Sequence, residues 1–517
     1  MFVTRVALIV ALGGFLMGFD ASVISGVVGF IEPEFGLSKL QLGWAVGSLT
    51  LTATLAMLVS GPLSDRFGRR TILKAAAILF AVSAIGSALA PTFALLVIFR
   101  MIGGLGVGAS LIIAPMYIAE ISPPKMRGRL VSFNQLNIVI GISVAFFTNY
   151  LILRWAQSDA SWVQSLLINE HQWRWMLGIE TLPAIAYFLG LYFVPKSPRW
   201  QIMVGQLAEA RKTMTFIAGE EKAESQIQDV LQSLEADKNK EKVSIKEVFH
   251  PSLRLVLIIG VTLAVLQQIT GINAVFFYAP MIFEQSGIGT DASFMQAILV
   301  GLTNLVFTIL AILFIDKLGR KPLLIFGMAG IAVTMLLLSY GFHSATYQLD
   351  EESIQQLEIP VDKELLTANM QGITYPNDVM FRRVLTESLG EEAAIEHESA
   401  LITAAIDINP NLILFAILGF VASFAISIGP VMWVMFSELF PLRVKGLAIS
   451  LAGFINSAVS FLVQLVFPWE LANLGNSITF LIYGLFAAAG LIFVLKMVPE
   501  TKNKSLEELE EELVRSN

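Results

Sequence analysis

Twelve long apolar runs constrain the fold of this chain more than any other feature. Each is about as long as, or longer than, the roughly 20 mostly apolar residues that a helix needs to cross a bilayer. The runs lie at residues 6–30, 43–63, 72–90, 94–118, 131–153, 175–194, 253–284, 293–315, 323–341, 411–437, 446–467 and 478–497. They predict an all-α integral membrane protein with twelve transmembrane helices, since the short alternating strands of a membrane barrel do not occur in the sequence.

The composition agrees with a chain that is solvated mostly by lipid. Hydrophobic residues make up 55% of it and charged residues 15%, whereas soluble domains carry about 25% charged residues. Cysteine is absent and only four histidines occur, so we expect no metal site, no catalytic thiol and no cofactor. The net charge of −7 argues against a nucleic-acid partner. The first run contains Asp20 and no cleavage pattern follows it, so we interpret it as a membrane helix and not as a signal peptide.

The distribution of basic residues sets the orientation of the spans. If the N-terminus is cytoplasmic and the twelve spans alternate, 27 of the 34 Lys and Arg residues fall on the cytoplasmic side. Such an excess is what the positive-inside rule describes. The sequence therefore predicts a multi-pass protein of the cell membrane, with both termini in the cytoplasm, and the lipid bilayer as its surroundings.

Two polar segments divide the chain. Residues 196–250 are charged and favour helix, which predicts a cytoplasmic helical linker between an N-terminal six-helix half (1–195) and a C-terminal half (251–498). Residues 342–410 fall on the outside between the ninth and tenth spans, and contain 13 acidic and 3 basic residues. Residues 499–517 form a cytoplasmic tail.

Charged motifs recur at corresponding helix ends of the two halves. After the second and eighth spans come Asp65-Arg66-Phe-Gly-Arg69-Arg70 and Asp316-Lys-Leu-Gly-Arg320-Lys. After the fourth and tenth come Glu120-Ile-Ser-Pro-Pro-Lys-Met-Arg127-Gly-Arg129 and Glu438-Leu-Phe-Pro-Leu-Arg443-Val-Lys445-Gly. A weak repeat at half-length is typical of two-halved transporters. The first-to-second motif spacing is 55 residues in one half and 122 in the other, and the excess of 67 identifies 342–410 as an acidic insertion into a duplicated unit.

These motifs, with three others, resemble those of the sugar porter family of the major facilitator superfamily. The others are Pro195-Lys-Ser-Pro-Arg199, Pro499-Glu-Thr-Lys502 and Gln267-Gln268-Ile-Thr-Gly271-Ile-Asn273. The resemblance covers essentially the whole chain except 342–410. It implies two pseudo-symmetric six-helix halves that transport a monosaccharide, a hexose or a pentose, by alternating access. The family includes proton–sugar symporters and passive glucose facilitators.

Three ionisable residues fall inside predicted spans, where each costs about 2.5–3.5 kcal/mol even on lenient scales. They are Asp20, Arg100 and Glu180. The resemblance implies that Asp20 and Arg100 form the proton-coupling pair of the symporters and that Glu180 supports it, because the passive facilitators lack the carboxylate of the first helix. The alternatives are a static ion pair that joins two helices and, for Glu180, a helix-packing group.

By resemblance, a second set of residues within the spans matches sugar-contacting positions. These are Gln135, Gln267, Gln268, Asn273, Asn304, Phe424, Gly429, Trp433 and Asn456. Amides donate and accept hydrogen bonds as sugar hydroxyls do, and an indole face covers the apolar side of a pyranose. The alternatives are amides that join helices and, for Phe424 and Gly429, simple packing. Ser457 stands where many family members have an aromatic residue, so no particular sugar is carried over.

The recurring cytoplasmic motifs pair acids with bases. In the family they latch the two halves together on the inside; here the set is Asp65, Arg66, Arg69, Arg70, Glu120, Arg127, Arg129, Asp316, Arg320, Glu438, Arg443 and Lys445. We expect Asp65 to pair with Arg66, Arg69 and Arg70, and Asp316 with Arg320. We expect Glu120 to pair with Arg127 and Arg129, and Glu438 with Arg443 and Lys445. The positive-inside rule alone would explain the basic residues, but it does not explain the acidic residues that accompany them in both halves. Lys445 replaces the usual Arg, which predicts a weaker latch in the second half.

The sequence as a whole predicts a secondary transporter that imports a monosaccharide with H⁺. Its expected partners are the sugar, a proton and the bilayer, and we expect it to work as a monomer. A facilitative uniporter and a transporter-like sugar sensor remain alternatives. The sensor is disfavoured because such receptors tend to have long cytoplasmic tails, whereas this tail is short. The sequence contains no recognisable nucleophile–base pair or metal cluster, so we do not expect an enzyme. The role of 342–410 stays open: it could cap the outer mouth, bind a partner or only solvate the surface.

Overall fold

The computed structural model describes residues 2–123, 126–239, 244–357, 359–441 and 443–514. In the first half of the chain the helices are α1 (Phe2–Val23), α2 (Val28–Phe35), α3 (Lys39–Phe67), α4 (Arg69–Ala88), α5 (Phe93–Ile121), α6 (Arg127–Ala156), α7 (Ser161–Ser165), α8 (Gln172–Gly178) and α9 (Thr181–Gly190). A 3₁₀ turn, Ile24–Gly26, joins α1 to α2.

The linker and the second half are also helical. The linker contains α10 (Pro198–Met203), α11 (Leu207–Ala218), α12 (Glu220–Asn239) and α13 (Ile245–Val248), and a 3₁₀ turn, Pro251–Leu253, leads into the second half. There follow α14 (Arg254–Ile269), α15 (Ile272–Glu284), α16 (Gly289–Leu318) and α17 (Arg320–His343), then α23 (Pro410–Ile426), α24 (Ile428–Leu439), α25 (Lys445–Asn473), α26 (Gly475–Met497) and α27 (Leu506–Val514). Linker residues 240–243 and tail residues 515–517 lie outside the described residues.

Among the described residues, eleven helical segments are long and apolar enough to cross a membrane. They correspond to eleven of the twelve predicted runs. The exception is the sixth run, in which α8 ends at Gly178 and α9 begins at Thr181. Pro183 explains the interruption, because it has no N–H to donate to Ile179 four residues earlier and its ring crowds that carbonyl. The apolar segment is present, but it is built from two short helices.

Two further spans are broken where the sequence reads as continuous. The seventh changes from α14 to α15 at Gly271, whose φ of +92° is a left-handed conformation that glycine adopts without strain. The tenth changes from α23 to α24 at Ser427, which has a non-helical backbone (φ −123°, ψ −105°). In transporters, breaks at membrane depth occur where backbone groups line a site.

The helices form two compact units. Unit 1 contains residues 1–22, 48–145 and 174–244, and unit 2 contains residues 23–47, 146–173 and 245–517. The core of unit 1 is built from small and branched side chains of α1, α4, α5 and α9 around Phe80, Tyr117 and Tyr187. Unit 2 takes in the ends of α1, α3 and α6 that orientation predicts to be extracytoplasmic, together with all of the second half.

The insertion forms a small α/β structure within unit 2. Its elements are β1 (Thr346–Gln348), α18 (Glu351–Gln356), α19 (Lys363–Met370), β2 (Thr374–Tyr375), α20 (Asp378–Leu389), α21 (Glu391–Glu396), α22 (Glu398–Ala405) and β3 (Ile406–Asp407). The strands make an antiparallel sheet in the order β2-β1-β3. Tyr347, Leu366, Phe381 and Leu401 are buried in a hydrophobic cluster of its own, so the segment is a folded element despite its acidic composition.

Candidate functional site

Unit 1 brings together the three ionisable residues predicted inside its spans. Asp20 lies near the end of α1, Arg100 lies in α5, and Glu180 directly precedes α9. Each residue is at most 2% exposed, and Arg100 is among the largest fully buried side chains of the described part of the chain. Charged groups this deeply buried are retained only where they are paired or functional.

The three groups carry an excess negative charge. Asp20 Oδ1 lies 3.5 Å from Arg100 Nη1, and Glu180 interacts electrostatically with both residues. Among the described residues, Asp20 Oδ2 and one oxygen of Glu180 accept no hydrogen bond. With both acids ionised the group has a net charge of −1, and one added proton neutralises it. Gly103 makes room for this arrangement, because a Cβ there would lie 2.7 Å from Asp20 Oδ2 and 2.5 Å from Ser83 Oγ.

Unit 2 gathers amide side chains from α14 and α25 into one hydrogen-bonded network that also includes a backbone carbonyl of α24. Gln267 Nε2 donates to the Gly429 carbonyl at 3.0 Å. Asn456 Nδ2 donates to Gln267 Oε1 at 2.8 Å, and Gln268 Nε2 donates to Asn456 Oδ1 at 3.2 Å. The predicted amides of the seventh and eleventh spans therefore meet, next to the backbone break of the tenth.

The network continues beyond the predicted residues. Asn273 Nδ2 donates to Gln268 Oε1 at 2.8 Å and to Ser460 Oγ at 2.6 Å, and Gln464 Nε2 donates to Ser460 Oγ at 2.8 Å. Ser460 and Gln464 were missed from the sequence. The signal that could have found them is helical spacing, because they follow Asn456 by four and eight residues and so share its face of α25.

The other predicted sugar-contacting residues have varied surroundings. In unit 1, Gln135 is exposed on α6. In unit 2, Phe424 packs against Gly429, where a Cβ would lie 3.1 Å from the ring. Asn304 is buried on α16 and makes no side-chain hydrogen bond to any described residue. Trp433 is 45% exposed.

The motif of the first half, which orientation predicts to be cytoplasmic, forms a cluster around the buried Arg69 in unit 1. Arg69 Nη1 donates to Asp65 Oδ1 at 2.6 Å, while Arg69 Nε and Nη2 form a fork to Glu120 at 3.2 and 3.0 Å. Ser197 Oγ donates to the other oxygen of Glu120. Charge-assisted bidentate pairs of this kind are among the stronger ion pairs in proteins.

The motif of the second half forms a related cluster in unit 2. Arg320 Nη2 lies 2.8 Å from Glu438 Oε1 and 3.1 Å from Asp316 Oδ1. Thr501 Oγ1 donates to Glu438 Oε2 at 2.6 Å. Glu500 accepts from the backbone N–H groups of Arg320 and Lys321, both at 3.1 Å, and so caps the positive end of α17. The Pro-x-Ser-Pro-Arg and Pro-Glu-Thr-Lys motifs thus supply matching hydroxyl donors, Ser197 and Thr501.

The structure corrects the expected partners of Glu120 and Glu438. Both bind the arginine that begins a neighbouring helix, and neither binds the bases that follow it in the chain. Arg66, Arg127, Arg129 and Arg443 are exposed, Arg70 and Lys445 are partly exposed, and Arg443 pairs with Glu247 at 2.8 Å. The reason is local geometry: α4 and α5 pack side by side and are joined by only four residues at their far ends, so Arg69 at the start of α4 lies beside Glu120 at the end of α5. The gating role of the whole set remains a prediction.

A multi-span helical protein that buries a carboxylate–guanidinium group and an amide network belongs to the class of secondary membrane transporters. The family model "Sugar (and other) transporter" matches residues 6–357 and 395–513. The chain therefore belongs to the sugar transporter family, within the major facilitator superfamily that its motifs resemble.

Relatives agree along the length of the chain. The arabinose-proton symporter of Bacillus subtilis (strain 168) is 34% identical over 98% of this chain and 94% of its own length. The D-xylose-proton symporter of Escherichia coli (strain K12) is also 34% identical, over 98% of this chain and 95% of its own length. The inward-open structure of the xylose transporter XylE from E. coli matches with a TM-score of 0.74 at 33% identity, covering 99% of this chain and all of that one. The twelve-helix fold is thereby confirmed.

Proposed function

We propose that this protein imports a pentose together with a proton by alternating access. Relatives similar over nearly their whole length are named as arabinose-proton and D-xylose-proton symporters. The observation that carries the proposal is the buried group of Asp20, Arg100 and Glu180, because a facilitator has no need of a protonatable excess charge inside the membrane.

The proposed coupling step follows from this group's charge. While Asp20 lies beside Arg100, the guanidinium stabilises the carboxylate as an anion. A rearrangement that moves the two apart leaves a carboxylate in an apolar surrounding, where it takes up a proton. Glu180, at the break between α8 and α9, adds a second negative charge and so favours proton uptake by the pair. One proton is then bound on one side of the membrane and released on the other in each cycle.

The proposed sugar site is built on the amide network of unit 2. Gln267, Gln268, Asn273 and Asn456 hold each other in place through their own hydrogen bonds. A sugar hydroxyl can replace an amide partner without leaving a polar group unpaired, since hydroxyls both donate and accept. The partly exposed Trp433 supplies the apolar surface for the ring. Asn304, Phe424 and Gly429 extend the proposed site within unit 2, and Gln135 of unit 1 is proposed as a further sugar-binding residue.

The proposal extends to the surroundings of the protein. The host membrane is the cell membrane. On its inner side lie both termini, the linker 196–250 and the two motif clusters. The insertion 342–410 lies on its outer side. The protein acts as a monomer and catalyses no covalent chemistry. Opening and closing of the cytoplasmic clusters gates the inner side of the site.

Uptake into proteoliposomes under an imposed pH gradient tests the coupling. The unaltered protein should accumulate D-xylose or L-arabinose above the external concentration. Asp20→Asn should abolish accumulation but keep sugar counterflow, because exchange does not require the proton to leave. Asp159→Asn, which changes an exposed acid in a loop, is the matched control and should behave as wild type. Accumulation that survives in Asp20→Asn would disprove coupling through this carboxylate.

The same assay separates the alternatives. Counterflow without accumulation in the unaltered protein would identify a uniporter, and saturable binding without either would identify a sensor. Competition by a panel of pentoses and hexoses decides the substrate, since other similar relatives are named as glucose transporters. Gln268→Ala should weaken the apparent affinity for the best competitor by about tenfold or more, because buried polar groups that lose a partner discriminate strongly.

A further inference from the structure

The acidic insertion is fastened by a set of buried charges that we name the outer network. Its members are Glu32, Lys39, Asp378, Arg382 and Glu398, all of which belong to unit 2. The side chains of these residues are 7–22% exposed. Most of the 13 acids of the insertion lie on its surface, so these two, Asp378 and Glu398, stand apart from the solvated majority.

One arm of the outer network joins the insertion to the first half of the chain. Lys39 begins α3, and its Nζ lies 2.6 Å from Glu32 Oε1 and 3.3 Å from Glu398 Oε2. The other oxygen of Glu398 accepts from Arg382 Nε at 2.8 Å. Glu398 is thus bound by two cations, one from α3 and one from α20.

The other arm joins the insertion to the turn between α25 and α26. Arg382 Nη1 donates to Asp378 Oδ2 at 3.2 Å and to the Leu471 carbonyl at 3.1 Å. Asp378 Oδ2 also accepts from the backbone N–H and the side-chain amide of Asn476, at 3.2 and 2.9 Å. Asp378 therefore caps the N-terminal turn of α26, and this arm stays within the second half of the chain.

Beneath the outer network, α3 lies directly against α25. A Cβ at Gly43 would be 1.9 Å from the Leu465 carbonyl, and one at Gly47 would be 3.1 Å from the Phe461 ring. The Trp44 and Phe461 rings meet edge to face at 5.7 Å. Because Lys39 lies one turn before Gly43 on the same helix, any movement that separates α3 from α25 also pulls Lys39 from Glu398.

We propose that the insertion is an outer latch, closed by Lys39 and Glu398, that must open each time the transporter exposes its site to the outside. The inference rests on the proposed alternating-access cycle. The second arm keeps the insertion on α25 and α26, so the contact that breaks is the ion pair between Glu398 and Lys39 of α3. Since both charges are largely withdrawn from water, the link resists opening more than a surface pair would. The latch sets how readily the outward-open state forms.

Crosslinking tests the latch. Because the chain has no cysteine of its own, only the introduced thiols can react. In Lys39→Cys/Glu398→Cys, a short bis-maleimide should abolish uptake that the untreated variant retains. The control pair is Gln348→Cys/Thr374→Cys, two exposed cross-strand neighbours inside the insertion, whose crosslink should leave uptake unchanged. Uptake that survives complete crosslinking of residues 39 and 398 would overturn the proposal.

A second measurement needs no transported substrate, so it separates failure of the latch from failure of the proposed function. Ala45→Cys places a reporter thiol at a fully buried position of α3, and a membrane-impermeant maleimide added outside labels it only when the outer side opens. Adding Glu398→Gln should raise the labelling rate about tenfold, within the range of typical coupling energies. Glu396→Gln, an exposed acid two residues away, should not raise it. Equal rates in the two variants would disprove the latch.

Discussion

Arg382 should be the residue on which the folded insertion depends most. Its guanidinium lies between Asp378 and Glu398 and also binds the Leu471 carbonyl. Arg382→Ala leaves Asp378 with only the polar groups of Asn476 and leaves Glu398 with Lys39 alone. Both carboxylates then lose the cation that they share.

The expected magnitude follows from the burial of these groups. Removing one partner of a buried ion pair costs about 3–5 kcal/mol, because the remaining charge is neither solvated nor paired. Glu398 keeps Lys39, so the lower end of about 3 kcal/mol applies. At about 1.4 kcal/mol for each factor of ten, local opening of the insertion should become roughly a hundredfold more frequent.

Hydrogen–deuterium exchange of the insertion measures this opening directly. Amides of α20 and α22 in Arg382→Ala should exchange roughly a hundredfold faster than in the unaltered protein, while those of unit 1 should not change. Arg383→Ala is the matched control, since Arg383 is the exposed neighbour and exposed charges change stability by about 0.5 kcal/mol at most. Equal protection in the two variants would refute the claim that burial gives the outer network its strength.

Two further predictions concern single groups. Burial raises the pKa of the Glu398 carboxyl, but Lys39 and the adjacent guanidinium outweigh this effect and lower the pKa to about 2. The stabilisation that Glu398 adds should therefore be complete above its ordinary pKa range and should fade as the pH falls toward 2. Hydrogen-exchange protection of the unaltered protein and of Glu398→Gln, compared between pH 6 and 3, measures this contribution, and the difference between the two should shrink as the pH falls. Gly103→Ala would place a methyl group against the Asp20 carboxylate, so proton-driven accumulation should fall at least tenfold while counterflow is retained. Gly61→Ala is the control, because a Cβ there meets open space, and it should not change uptake into proteoliposomes. Equal accumulation in the two variants would contradict the close packing at Asp20.

The membrane spans and their family could be predicted because they depend on short-range information. Hydrophobic length defines a span, and charge at its ends defines orientation, so eleven of the runs match the observed helices closely. The breaks were harder to predict. Pro183 could have warned of the break before α9, and Gly271 of the one after α14, but Ser427 carries no special backbone preference. The signal for that break is Pro430, which, like Pro183, has no N–H to donate to the carbonyl four residues earlier, here that of Ile426.

The outer network could not be predicted, because its partners are far apart in the chain. Lys39 and Glu398 are separated by 359 residues, and each looks like an ordinary surface charge in its own segment. The acidic composition of 342–410 left its role open and did not by itself predict a folded element. Its core depends on apolar residues such as Phe381 and Leu401 spaced through polar helices, and this pattern becomes visible only once α20, α21 and α22 are seen as separate helices.

The two motif clusters share one plan but differ in the geometry of their central ion pair, and the motifs alone do not predict this difference. The sequence attributes a weaker second latch to Lys445, yet that residue is not part of the observed cluster. Arg69 uses both Nε and Nη2 on Glu120, with side chains 5% and 8% exposed, whereas Arg320 reaches Glu438 through Nη2 alone and its buried Nε has no hydrogen-bond partner among the described residues. A bidentate, more buried pair should show the larger coupling energy in a double-mutant cycle. If the cluster of the second half is the weaker one, it is the one that should yield first when the inner side opens.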